Sequence, residues 1–420
     1  MRSVTLQNFT IGYIAVWSVS PPLFGSDIAR LLVIFSTVTW VFLEVSRPRG
    51  IAYEVTLPIL LTLVFVGYTG TIEAILYGAE GVIGGIQIWI MLFFLIIWQS
   101  RRNDIQSLVS VFWFVLAVYP IWLFITFKTL VTTNSHAART IVRGSDAAEA
   151  LTEQGVGGYG LVYGTLLLIP LLLALLRNRQ VLNGSVLPRP LRKFPVLAFG
   201  LVALNLALGV AVVLTAGFTI AVLALIGILL CFFLLEKYNA PRFLFVFTSM
   251  FVVIIFAKPV LQAMLLALQP LAEGTSYAGK IRDMLLSIQI GDATGTAAAR
   301  TERYIRSLLI FGENPLFGVL SRDDIGKHSQ FLDGFARWGS IFGGIFVYLV
   351  SFPALRAIQH GKREFGVVLA LLVAIAAIFG FNNGFAAAGL MLYIMFPVSI
   401  HILKNGEARL VRTSVVKSLA

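Results

Sequence analysis

Arg300-Thr301-Glu302-Arg303-Tyr304-Ile305-Arg306, then Asn314-Pro315-Leu316-Phe317-Gly318, then Lys327-His328-Ser329-Gln330-Phe331-Leu332, and finally Gly339-Ser340-Ile341-Phe342-Gly343 mark one long polar excursion in an otherwise apolar chain. The excursion occupies 271–338, and its placement decides how the apolar remainder is arranged. Guanidinium groups and an imidazole beside a bilayer suit anionic groups at the membrane surface, with lipid phosphates the first candidates.

Working outward, apolar residues make up 58% of the 420 and the mean hydropathy is +0.89. A soluble domain is about half apolar, so the excess points to a multi-span membrane protein. No cleavable leader pattern follows Arg2; an ordinary first span does. Cys231 is the single cysteine, which excludes an internal disulfide and a cysteine metal cluster. The net charge of +12 would suggest nucleic acid in a soluble protein. Here most of the surplus is topological, and no nucleic-acid partner is expected.

A membrane-crossing helix needs roughly 20 apolar residues. Twelve such runs are predicted, near 5–21, 28–45, 54–71, 82–99, 105–127, 157–176, 194–215, 217–235, 242–269, 339–356, 365–381 and 384–403. Placing both termini in the cytoplasm puts Arg47, Arg49, Arg101, Arg102, Arg177, Arg179, Lys362, Arg363 and Lys404 on the inner side. The outer turns at 21–27, 72–81, 215–217 and 381–383 then carry no basic residue, as the positive-inside rule requires. The organisation that follows is helices 1 to 5 over 1–127, a first outer loop at 128–156, helices 6 to 9 over 157–270, the large outer loop at 271–338, and helices 10 to 12 with an inner tail over 339–420.

The large loop holds eight basic and eight acidic side chains. It is therefore no generic basic surface, and its arginines need a local explanation. Residues 297–311 are predicted as a helix that gathers Arg300, Arg303 and Arg306 within about a third of its circumference. Tyr304, Ile305, Leu308 and Leu309 give that helix an apolar side, and Asn314-Pro315 stops it.

A neutral imidazole can take the proton of a sugar hydroxyl. Guanidinium groups bind a pyrophosphate and offset the charge that builds as it leaves. Together they suit glycosyl transfer from a lipid-pyrophosphate donor already resident in the membrane, with no cofactor. No GxxxxGKS/T phosphate loop is present. Bland readings compete: an outer arginine is commonly a headgroup contact, and a loop histidine is commonly solvated. His360 and His401 fall on the inner side and read as incidental, whereas His136 lies outside. Asp323-Asp324 reads as a solvated turn ahead of a metal pair, so no metal site is expected. Lys258, inside the ninth run, has two readings: an intramembrane cation facing a cavity, or a side chain reaching the outer interface. Asn205 and Asn382-Asn383 read as packing or turn residues.

Segment 300–344 resembles the conserved region of the O-antigen polymerase and O-antigen ligase superfamily. There an arginine and an aromatic lead to an Asn/His-Pro-Leu-x-Gly turn, a His-Asn-x-x-Leu motif and a Gly-x-x-Gly start of a span. Arg300, Tyr304, 314–318, 328–332 and 339–343 supply these in order. The resemblance implies a GT-C-like helical fold and an inverting, metal-independent glycosyltransferase of a bacterial inner membrane. Its substrate would be an undecaprenyl-pyrophosphate-linked oligosaccharide, and a chain-length regulator is a candidate partner.

Carried over, the resemblance makes His328 the base and Arg300 a pyrophosphate ligand. Arg303 follows one turn on, and Arg139 or Arg143 of the first outer loop is a further ligand. Lys258, Arg306 and Lys327 are accessory candidates. Ser329 departs from the usual asparagine. Many relatives, ligases particularly, carry Ser-Arg in the turn after span seven, where this chain has Leu214-Thr215-Ala216-Gly217-Phe218. That favours a polymerase over a ligase acting on lipid A core. A capsule or secreted-polysaccharide polymerase is a related alternative, and a lipid-linked sugar transporter is a more distant one.

Overall fold

The computed structural model describes residues 2–48, 50–141, 145–182, 193–235, 265–274, 277–290, 295–360, 365–382 and 385–404, with a few isolated positions between them. All regular structure among the described residues is helical. In chain order the helices are α1 (Arg2–Val19), α2 (Pro21–Gly25), α3 (Asp27–Val45), α4 (Leu57–Ser100), α5 (Gln106–Thr132), α6 (Ala137–Thr140), α7 (Asp146–Glu153) and α8 (Tyr159–Arg177). They continue as α9 (Pro195–Thr215), α10 (Thr219–Leu234), α11 (Ala278–Ile290), α12 (Gly295–Glu313), α13 (Gln330–His360), α14 (Phe365–Phe381) and α15 (Ala386–Lys404). Seven of these, α3, α4, α5, α8, α9, α13 and α15, are long and apolar enough to cross a membrane, and α10 and α14 are shorter apolar helices. The chain is a multi-pass, all-helical membrane protein. Most of the run expected at 242–269 lies outside the described residues.

The outer turn expected at 72–81 is helical except at Gly78, whose φ of 61° breaks α4. Twenty residues of straight helix would separate Thr69 from Trp89 by about 30 Å. Instead the Trp89 indole N–H donates to Thr69 Oγ1 at 3.2 Å, so the chain doubles back at Gly78 into two antiparallel arms. Only glycine adopts this φ without a Cβ penalty. Glu73, expected in the open turn, is buried.

The chain divides into two compact units, 1–216 with 384–420, and 217–383. In the first, α8 and α15 are apolar all round and almost wholly buried, as core helices of a membrane bundle should be. Polar side chains tie the bundle together where lipid offers no partner. Tyr119 Oη of α5 donates to the Leu161 carbonyl of α8 at 3.0 Å, and Asn205 Nδ2 of α9 donates to the Leu116 carbonyl of α5 at 2.8 Å. Asn205 is thus a packing residue, as its sequence context suggested. The outward side of α3 is apolar, with Ile28, Leu31, Phe35 and Phe42 exposed.

Arg101 reads in the sequence as a topology marker, but it is fully buried. Its Nη2 donates to Glu44 Oε2 at 3.0 Å and to Gln7 Oε1 at 2.6 Å, joining α1, α3 and the end of α4. Ser100 Oγ donates to Glu44 as well, and Gln7 Nε2 donates to Glu44 Oε2 at 2.9 Å.

In the second unit α10 packs on α14, α14 on α13, and α13 on α12. Glycines bring α10 and α14 close: a Cβ at Gly366 would stand 2.8 Å from the Leu235 carbonyl. Four rings, Phe331, Trp338, Phe346 and Phe379, stack or meet edge to face with centroids 5.7–6.4 Å apart between α13 and α14.

The span expected to begin at Gly339 begins earlier. Helix α13 starts at Gln330 and is broken at Gly339, where φ is 67°. That break receives the turn at 314–318. The Ser340 amide donates to the Pro315 carbonyl at 2.8 Å, Val319 to Ala336 at 3.0 Å, and Leu320 to Arg337 at 2.9 Å. Gly318 also has positive φ, 69°. A Cβ at Gly339 would stand 2.1 Å from the Leu316 carbonyl oxygen, and one at Gly318 would stand 2.3 Å from the Arg337 backbone. Both motif glycines are therefore required by the same backbone-to-backbone contact.

Two outcomes are expected. Glu44→Ala leaves the buried Arg101 charge without its carboxylate and destabilises the detergent-solubilised protein by about 3–5 kcal/mol; Arg101→Ala loses less, because Arg47 Nη1 still lies 3.4 Å from Glu44 Oε1, and Glu44→Leu with Arg101→Leu recovers most of the loss. Thermal unfolding measures both; single variants that unfold like the wild type would contradict the role given to this pair. Gly339→Ala incurs about 1–2 kcal/mol from the left-handed backbone alone, plus the clash with Leu316. Limited proteolysis at 314–320 should accelerate in that variant; an unchanged digestion rate would contradict the contact.

Candidate functional site

Helix α12 extends the helix expected at 297–311 by a few residues at each end. It presents one stripe to the rest of the second unit. Tyr304 meets Phe381 edge to face at 6.2 Å, Phe311 meets Phe335 at 5.5 Å, and Ser307 is fully buried. Arg300 lies half-buried on the same stripe. At about 100° per residue, Arg303 falls roughly 60° to one side of it and Arg306 roughly 120°. Arg306 is exposed and turned away. The expected apolar side of this helix is only partly used, since Ile305, Leu308 and Leu309 are at least half exposed.

The loop after α12 lies against the helix. Gly326 makes this approach feasible, because a Cβ there would stand 2.1 Å from the Arg303 carbonyl oxygen. The next residue, Lys327, has φ of 59°, a left-handed conformation that costs a non-glycine residue about 1–2 kcal/mol. The turn places the His328 ring beside α12, where Arg303 Nη1 lies 3.2 Å from His328 Nε2. A guanidinium only donates, so Nε2 accepts and its lone pair is engaged. Lys327 itself points to Asp323, with Nζ to Oδ1 at 3.5 Å.

Three forces act on the His328 ring in the same direction. Burial acts most strongly, followed by the Arg303 and Arg300 guanidiniums, and all disfavour the imidazolium. Asp333 and a hydrogen bond with the Lys327 backbone work the other way, and the net result lies below the ordinary histidine range. With an ordinary value near 6.5, the ring is neutral at pH 7. Burial raises the nearby Tyr304 phenol while Arg300 opposes that shift. Tyr304 Oη is enclosed and has no hydrogen-bond partner among the described residues.

Asp333 and Ser307 form the floor of the site, and the sequence motifs do not single them out. Ser307 Oγ donates to Asp333 Oδ1 at 2.6 Å and accepts from the Gly326 amide at 2.9 Å. Asp333 Oδ2 accepts from the Ser329 amide at 3.0 Å. Ser329 starts α13: its Oγ accepts from the Leu332 amide at 3.2 Å, and the Gln330 amide donates to the Asn382 carbonyl at 2.8 Å. A serine at a helix start followed by an acid in the first turn is a legible start signal, and it was the available clue to Asp333. It also explains the departure at position 329. The hydroxyl there caps a helix, a role serine fills as well as asparagine.

Arg300, Arg303 and His328 are thus brought together in one unit. Arg139 belongs to α6 in the other compact unit, and Arg143 and Lys258 lie outside the described residues. Among the described residues no three His, Cys, Asp or Glu side chains converge as metal ligands. Residues Gly155-Val156-Gly157-Gly158-Tyr159-Gly160 have GxGxxG spacing, but they follow α7 rather than a strand. The dinucleotide turn needs a strand there. Gly155 faces Trp122 and Gly158 faces Ile141, which makes the run a packing element.

The site therefore combines a neutral imidazole, two guanidiniums and an unpaired phenol, and a carboxylate holds the histidine loop from beneath. No protein-family model matches the chain, and neither a curated protein nor a solved structure matches it.

Proposed function

We propose that this chain is a glycan polymerase of the bacterial inner membrane, transferring an undecaprenyl-pyrophosphate-linked glycan onto the next lipid-linked repeat unit at the periplasmic face. The observation that carries the reading is the Arg303–His328 contact at 3.2 Å, with Arg300 close enough to act on the same ring. A base and an anion clamp in contact are what transfer from a pyrophosphate leaving group requires.

The acceptor hydroxyl attacks the anomeric carbon of the donor sugar, with inversion. The bond from that carbon to the pyrophosphate oxygen breaks, and its electron pair leaves with the pyrophosphate. The hydroxyl proton passes to His328 Nε2. For that to happen Arg303 must release Nε2, and a pyrophosphate is the stronger acceptor for a guanidinium. Donor binding then frees the base, so an acceptor is activated only when a donor is in place. Arginine charge offsets the developing negative charge, and the reaction as proposed is metal-independent.

The same reading takes the bundle as GT-C-like with twelve spans and both termini cytoplasmic. The two arms of α4 count separately, and α1, α10, α14 and the run at 242–269 complete the set. The turn at 214–218 lacks the arginine that ligases carry, which is why polymerase is preferred to ligase.

A strain lacking the gene tests the reading. Single repeat units on the surface, with no long chains in any pool, are expected. Long chains stranded on the lipid carrier would mean a ligase, and unchanged surface glycans would remove the reading.

In the purified enzyme, His328→Ala should lower turnover by roughly 10²- to 10⁴-fold with insertion intact. Arg300→Lys should lose roughly tenfold or more, because an ammonium cannot reproduce the planar fork. Normal turnover in either would withdraw that residue's role. In the wild type, kcat/KM should rise with pH through a midpoint below 6.5, because the base works only when neutral and its imidazolium is disfavoured. Arg303→Gln removes a positive charge facing the ring and should move that midpoint upward. A wild-type midpoint above 7, or a downward shift in the variant, would contradict the electrostatics.

A further inference from the structure

The base in this site is on a loop, and a loop residue is useful in catalysis only if something rigid holds it. Here the segment 326–329 is held at both ends by one carboxylate. Asp333 Oδ2 accepts the Ser329 amide at 3.0 Å, directly after the histidine. Ser307 Oγ donates to Asp333 Oδ1 at 2.6 Å, and the serine oxygen in turn accepts the Gly326 amide at 2.9 Å, two residues before the histidine. Asp333 and Ser307 are both buried, so these bonds are shielded from water. Helix α12 supplies the serine and α13 supplies the acid, which makes the clamp a bridge between the helix bearing the arginines and the helix after the base.

We propose that Asp333 is the positioning residue of this site, holding the histidine loop at both ends and supplying the negative charge that faces the His328 ring. The charged and titratable groups around the ring are few. Helix α12 brings Arg300 and Arg303, with Tyr304 beside Arg300; the loop brings Lys327; α13 brings Asp333. Helix α14, which packs on Ser329 and Gln330, contributes the Phe379 and Asn382 carbonyls and nothing titratable there. Asp333 is therefore the one acidic counterweight to two guanidiniums among the groups acting on this ring, and its charge favours the imidazolium that forms once the proton is taken.

The catalytic meaning of this role rests on the polymerase reading, but the clamp does not, and one experiment separates them. Full-length protein in lipid nanodiscs is labelled with ¹³C-histidine, which gives four residues to follow. The His328 signal is identified by its loss in His328→Gln. Asp333→Asn keeps both links, because its amide N–H can donate to Ser307 Oγ while its oxygen accepts the Ser329 amide. It removes the charge and reverses the direction of the Ser307 bond. The His328 titration midpoint should then fall by roughly one pH unit with thermal stability nearly kept.

Asp333→Ala removes both links, and Ser307→Ala removes the one to Gly326. Both should broaden the His328 signal and lower turnover on lipid-linked substrate roughly tenfold or more, Asp333→Ala more than Ser307→Ala. A His328 midpoint that does not move in Asp333→Asn would overturn the proposal even if Asp333→Ala fails to fold. So would full turnover in a folded Asp333→Ala protein. The titration needs no substrate, so failure of the polymerase reading would leave it intact.

Discussion

The backbone contact between the turn at 314–318 and the break in α13 at Gly339 is the constraint on which the rest of the second unit depends. Two glycines in left-handed conformations let main chain meet main chain, and three amide-to-carbonyl bonds close the contact. Everything between those glycines is thereby a closed loop with fixed ends. The loop must return to α12 within a dozen residues, and it does so at Gly326, whose missing side chain permits contact with the Arg303 carbonyl. The histidine two residues later is brought beside the arginine one turn after Arg300. A turn motif, a histidine motif and a glycine pair that are separate in the sequence are one piece of geometry.

Charge then does what packing has arranged. The guanidiniums that suit a pyrophosphate also disfavour the protonated form of the imidazole beside them, so the ring waits as a neutral acceptor. One of them occupies the ring nitrogen that a base must use. Under the proposed function these facts form a sequence of events: an anion draws the arginine away, the nitrogen is freed, and a proton can move. The buried Asp333 tempers the repulsion without neutralising the arginines, because its oxygens are committed to Ser307 and the Ser329 amide.

Much of this was legible from residue types. The apolar runs and the asymmetry of basic loops point to a helical membrane bundle, and the structure has helices at most of the expected places. The helix expected at 297–311 is present as Gly295–Glu313, because an alanine-rich start and Asn314-Pro315 bound it from both sides. Other features depend on contacts that spacing does not encode. Arg101 sits in a short inner loop by its charge, yet it is buried against Glu44 and Gln7 from distant helices. The turn expected at 72–81 is compressed to one glycine, since hydropathy registers where polarity changes and not how sharply a backbone reverses. Asp333 was one acid among eight in a charge count, and only its distance to Ser307 gives it a role. The apolar side of α12 illustrates the reverse case: the pattern is present, while the stripe that packs is the one through Arg300, Tyr304, Ser307 and Phe311.

Under the proposed function, this membrane protein joins lipid-pyrophosphate-linked glycans using its own side chains and no energy source beyond the donor. The most direct test is reconstitution of the purified full-length protein in nanodiscs with undecaprenyl-pyrophosphate-linked repeat units alone, without nucleotide or ion gradient. A ladder of lengthened lipid-linked glycans is expected, with one released carrier pyrophosphate for each linkage formed. Well-folded protein that leaves the repeat units unjoined, or carries them across a bilayer unaltered, would contradict the proposal.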